Sequence, residues 1–183
     1  SGHGTFVAGI VRQHCPEADI LVIPVVPMAG AAAEKDVHDA LALLATRQLD
    51  ALTTKAPKNL VDVVNLSMGY YHESPDDVLQ DAPLRLLVQH LTDLGVAVVA
   101  AAGNAATSAE FYPAAFAGAP DKAVPVPPVV SVGALNPGGE TVALFSNSGA
   151  WVRTHRLGAS VVSTVPTTMR GSFNASVFVN RDD

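Results

Sequence analysis

Three short stretches hold side chains that could do chemistry. The first, residues 1–10, reads SGHGTFVAGI, with His3 between Gly2 and Gly4 and an apolar run behind it. Val7, Ile10 and Val11 recur at helical spacing, so His3 is expected to open a helix. An imidazole placed there is suited to take a proton from a hydroxyl, and the flanking glycines leave room for a peptide backbone. The second stretch is AAGN, residues 101–104, where the amide of Asn104 could donate to a developing oxyanion. The third is Ser67, Met68 and Gly69, a strand end whose exposed edge could pair with an extended peptide. Singly, each also has an ordinary reading: a surface histidine, a Gly-Asn turn and a strand running into a turn.

The elements that must hold these residues alternate in type. ADILVIPVV (residues 18–26), VDVVNLSMG, VAVVAAAGN, PPVVSVGAL and ASVVSTVP (159–166) are short apolar, β-branched runs and predict five buried strands. Between the first two lies EKDVHDALALLATRQLDAL, whose Val37, Leu41, Leu44 and Leu52 predict one apolar helix face. Between the second and third lies DAPLRLLVQHLTDLG. There Asp81 is expected to cap, Pro83 suits the first turn, Leu84, Leu87, Val88 and Leu91 form a stripe, and Gly95 ends the helix. Such alternation predicts an α/β domain with a parallel sheet, in which functional residues gather at the carboxyl ends of strands. Residues 106–128 read as a long loop, and 166–183 show little periodicity.

Composition narrows the function classes. The 183 residues fit one domain, and 49% hydrophobic against 15% charged residues suffices for a sizeable core. Eleven basic against seventeen acidic residues leave a formal charge of -6, which disfavours nucleic acid as a partner. The longest uncharged apolar run, residues 20–33, is broken by Pro24 and Pro27, so no membrane span is expected. Cys15 is the single cysteine, which excludes an internal disulfide. A nucleotide site lacks its GxGxxG or P-loop lysine, and no metal-ligand motif appears, so no cofactor and no metal are expected.

Taken in order, SGHGTFVAGI, VDVVNLSMG, VAVVAAAGN, VVSVGAL and FSNSGAWV closely resemble the subtilisin-like serine peptidases, the subtilases. The resemblance runs from Ser1 to about Pro166. It implies a three-layer α/β fold, with a mainly parallel sheet flanked by helices. It implies that His3 is the general base, that Asn104 completes the oxyanion hole, and that Ser67, Met68 and Gly69 line the P1 to P4 substrate sites. Ala100, Ala101, Ala102 and Gly103 would wall an open P1 pocket suited to a medium or large apolar residue, with Tyr70 and Tyr71 narrowing the outer subsites. Peptide or protein substrates and an exported, secreted or cell-envelope location follow from the same resemblance.

Two departures qualify it. The family order is Asp, His, Ser, yet only Ser1 and Gly2 precede His3, and no GTSxA segment follows. Ser160 and Ser172 are near matches, but neither opens a helix of small residues. Residues 1–183 are therefore expected to be a partial catalytic domain, truncated at both ends, inactive alone and prone to self-association. RQHCPEA leaves no room for the calcium loop found in many family members after the histidine. The alternative is a non-catalytic relative that binds peptides or partners without cleaving them. Asn65-Leu66-Ser67 and Asn174-Ala175-Ser176 match the glycosylation pattern, the former discounted as lying in a buried strand.

Overall fold

The computed structural model describes residues 2–26, 31–74, 76–77, 81–118 and 128–169. Two compact units emerge, Ile23–Val161 and the pairing of Ser1–Val22 with Val162–Asp183.

The larger unit holds α2 (Glu34–Thr54), β1 (Val63–Leu66), β2 (Tyr70–Tyr71), α3 (Ala82–Asp93), β3 (Ala97–Ala101), β4 (Phe111–Tyr112), β5 (Val130–Leu135) and β6 (Thr154–Leu157). Strands β1, β3, β5 and β6 form a four-stranded sheet in that order, every pair parallel. The register sets Leu66 of β1 beside Ala100 of β3. The pair β2 and β4 is antiparallel and separate. Helices α2 and α3 pack on each other, and α3 packs on β3. The core joins Leu41 and Ala45 of α2 and Leu84, Val88 and Leu91 of α3 to Val64, Leu66, Val98 and Ala100 of the sheet.

Period-2 alternation explains which strand residues enter this core. In β1 Val64 and Leu66 are buried, while Val63 is 58% exposed. The strands read as uniformly apolar, yet their opposite face is only partly covered. Asn65 lies on that exposed face, contrary to its expected burial. On α2, Leu41 faces inward as expected, whereas Leu52 is 48% exposed and Gln48 takes a buried place. Gln48 is satisfied by donating to Leu94 O at 3.1 Å and accepting from Val61 N–H at 2.7 Å. Gly95 ends the α3 region at φ +85°, a conformation favouring glycine.

The smaller unit is α1 (His3–His14) with residues 162–169 laid along it. Gly9 is the contact: a Cβ there would fall 2.2 Å from Ser163 Oγ and 2.4 Å from Thr164 Oγ1. Those hydroxyls donate to Phe6 O (2.7 Å) and Thr5 O (3.1 Å), and Gln13 Nε2 donates to Val162 O at 3.1 Å.

Three sequence expectations are corrected. Residues 18–26 form no strand, and Leu21 and Val22 are each 61% exposed. A strand exists only through its ladder, and Pro24 has no N–H to offer one. Residues 159–166 also form no strand. Ser160 turns the chain at φ +57°, and Ser163 and Thr164 spend their hydroxyls on α1. The strand of this region is instead β6, which begins five residues before the predicted run does. The expected loop after residue 106 contains β4 and a buried 3-10 turn, Ala114–Ala117. Ser172 and Asn174 lie outside the described residues.

Candidate functional site

In the larger unit the parallel pairing of β1 with β3 brings two of the three stretches side by side. Residues 67–69 continue β1 and residues 102–104 continue β3, both past the carboxyl ends of adjacent strands. Ser67 and Met68 are half-buried and Gly69 is exposed. Ser67 Oγ accepts from Asn65 Nδ2 at 2.9 Å. Gly69 cannot carry a side chain without displacement, because a Cβ would lie 2.4 Å from Tyr112 O and 2.5 Å from the Phe111 ring. Thus β4 presses on one side of this segment.

Asn104 is exposed, in the bend after β3. Gly103 before it has φ +96°, and Ala106 after it has φ +54°. A reversal this tight needs support from behind, and residues 145–148 provide it. Ala106 N–H donates to Phe145 O (2.9 Å), Ser148 N–H to Thr107 O (3.0 Å) and Asn147 N–H to Gly103 O (3.1 Å). The residues expected to wall the P1 pocket, 100–103, differ in exposure. Ala100 and Ala102 are 0% and 1% exposed and belong to the core, while Ala101 and Gly103 are half-buried. Strand alternation turns every second alanine inward.

The remaining stretch belongs to the smaller unit. His3 is exposed and is the first residue of α1, as its sequence setting predicts. Gly4 has open space around it, but Gly2 does not: a Cβ there would meet Met169 Sδ at 2.3 Å. Gly2 therefore serves packing within the chain rather than access.

A polar and aromatic cluster beside residues 67–69 escaped the sequence reading. Asp81 does not cap α3 with its side chain; it accepts from Tyr70 Oη at 2.6 Å and lies 2.9 Å from His72 Nε2. His72 stacks on Tyr112, ring centres 4.2 Å apart, and the Tyr112 hydroxyl bonds Glu110 at 2.5 Å. Burial pushes the Tyr70 phenol well above its ordinary range, helped by the bond to Asp81. Burial and the bond to Glu110 do the same for Tyr112. The Tyr-Tyr-His run near an acidic residue was the available signal, but pairing across β2 and β4 is not legible from spacing. Among the described residues no three His, Cys, Asp or Glu side chains converge as a metal site would require. No described helix is long and apolar enough to cross a membrane.

A family model described as Subtilase family matches residues 1–171. This chain belongs to the subtilase family. It is 30% identical over 185 residues to Subtilisin BL of Lederbergia lenta, which covers 96% of this chain and 58% of that protein. It is 29% identical over 175 residues to the Thermophilic serine proteinase of Bacillus sp. (strain AK1), covering 90% of this chain and 36% of that one. This subtilase thus spans between about a third and three fifths of those relatives' lengths. Among solved structures it is similar to Sphericase, with TM-score 0.65, 21% identity, and coverage of 90% of this chain and 55% of that chain. It is also similar to the S41 Psychrophilic Protease, with TM-score 0.58, 27% identity, and coverage of 81% and 46%. The α/β architecture with its parallel sheet is accordingly the subtilisin-like fold.

Proposed function

We propose that residues 1–183 are part of the catalytic domain of a subtilisin-type serine endopeptidase. The family match over residues 1–171 carries this reading. The side-by-side strand ends of β1 and β3 support it. In this reading the triad aspartate and the nucleophilic serine are not among residues 1–183. His3 accepts the serine hydroxyl proton as the oxygen attacks the peptide carbonyl, and returns it to the leaving amine. Asn104 donates to the oxyanion of the tetrahedral intermediate, and residues 67–69 hold the substrate backbone by strand addition. Ala101 and Gly103 line the P1 site from their half-buried face, which favours an apolar P1 residue of medium or large size. Peptide or protein is the substrate class, and export of the intact protein goes with this reading.

A serine-directed phosphonate probe tests it. The full-length protein is expected to be labelled, with labelling abolished by His3→Ala, while residues 1–183 alone remain unlabelled. Failure to label the full-length protein would favour the non-catalytic, peptide-binding alternative. Asn104→Ala is expected to cost about 10²–10³ in kcat, the magnitude known for loss of such a donor in a subtilisin.

A further inference from the structure

Asn147 is fully buried, at 0% exposure, in the loop that backs the bend at Asn104. Its side chain makes four hydrogen bonds. Nδ2 donates to Ala102 O at 2.8 Å and to Tyr71 Oη at 2.7 Å. Oδ1 accepts from Ala105 N–H at 3.0 Å and Thr107 N–H at 3.3 Å. A carboxamide has two donor hydrogens and two acceptor lone pairs, so its capacity is filled. With the backbone bond to Gly103 O, Asn147 grips residues on both sides of Asn104.

We infer that Asn147 is a positioning residue for this site: it sets the bend that presents Asn104 and ties that bend to the peptide-holding segment. The inference rests on the reading of Asn104 as the oxyanion donor. The tie runs through Tyr71, two residues beyond Gly69 on β2, whose ring also packs on Phe111 at 4.9 Å. Thus one buried amide bonds the bend after β3 directly and reaches β2, the strand that follows residues 67–69, through the Tyr71 hydroxyl. The chemistry is specific to asparagine. Aspartate has the same shape but replaces two donor hydrogens with an acceptor facing Ala102 O, and it buries a charge. Serine is too short for four partners. Gly103 completes the fit, since a Cβ there would fall 2.4 Å from Asn147 Nδ2.

The test uses the full-length protein with Asn147→Asp, Asn147→Ser and the milder Tyr71→Phe, each alone and combined with Asn104→Ala. Asn147→Asp is expected to lower kcat by about tenfold or more, within the loss caused by removing Asn104 itself, with KM changed less than about twofold. In the Asn104→Ala background the same change is expected to cost nothing further in kcat, because its effect passes through Asn104. Tyr71→Phe is expected to shift kcat in the same direction, by less. Leu91→Ala, a core variant of reduced stability, controls for general loosening and is expected to leave kcat unchanged below its melting range. An equal kcat loss with and without Asn104 would overturn the inference, as would unchanged kcat in Asn147→Asp. Should the wild-type protein prove inactive, the proposed function fails, and amide exchange still decides whether Asn147 sets the bend at Asn104. Faster exchange at Ala105 and Thr107 in Asn147→Ser, with α3 unchanged, supports it; unchanged exchange there overturns it.

Discussion

Glycine-to-alanine exchange in α1 measures how residues 162–169 hold that helix. Gly4 and Gly9 lie in the same helix, so alanine gains each about 0.5–1 kcal/mol of helix propensity. Their surroundings differ. Gly4 has nothing within 4 Å of a built Cβ, whereas at Gly9 that atom would fall 2.2 Å from Ser163 Oγ, 2.4 Å from Thr164 Oγ1 and 3.0 Å from Thr164 N. Rotating the two hydroxyls away breaks their bonds to Phe6 O and Thr5 O, and the Thr164 nitrogen is backbone and cannot rotate. Overpacking of this kind costs about 1–3 kcal/mol. The propensity term cancels between the two variants, so Gly9→Ala should be less stable than Gly4→Ala by about 1–3 kcal/mol. Native-state hydrogen exchange of the α1 amides reads this directly, as protection about 5- to 150-fold lower in Gly9→Ala. Equal protection in the two variants would refute the packing of residues 163 and 164 on α1.

Other substitutions test the larger unit. Leu91→Ala removes a side chain with no exposure and should cost about 2–5 kcal/mol in denaturant unfolding. Ser131→Ala should cost about 1–3 kcal/mol, because the buried hydroxyl donates to Trp151 O and accepts from Arg153 N–H, and both partners lose it. The Tyr70 phenol is held protonated by burial and by its bond to Asp81, so its pKa in the folded state is above that in the unfolded chain. Its contribution is therefore complete below about pH 10 and declines as pH rises above that value. Melting temperature should fall more steeply above about pH 10 in the wild type than in Tyr70→Phe. Asp77 shows the opposite sign. Bonds from the Ser74 backbone and hydroxyl and from Glu73 N–H lower its pKa, so its contribution is lost as pH falls into the carboxylate range. Asp77→Asn should flatten the acid limb of the stability profile.

Local pattern alone determined much of this protein. Helical spacing placed His3 at the start of α1, and apolar periodicity located α2, α3, β1, β3 and β5. Those signals are legible because an amphipathic stripe or an apolar run reflects the chain's own repeat, 3.6 or 2 residues. Pairing was not legible. Residues 18–26 and 159–166 look like strands in composition, but composition cannot say whether a ladder partner exists. Residues 162–164 of the latter lie along α1 because Gly9 admits them, a contact across more than 150 residues of sequence. Likewise AAGN singled out Asn104 only in company with the other segments of the resemblance, and the buried amide of Asn147 behind it came from 43 positions away. Phe145 to Ser148 open FSNSGAWV, a segment that carried the resemblance but gave no side chain a role. Only the tertiary fold, which sets residues 145–148 against the β3 strand end, filled the four hydrogen-bonding positions of that side chain and so gave it something to hold.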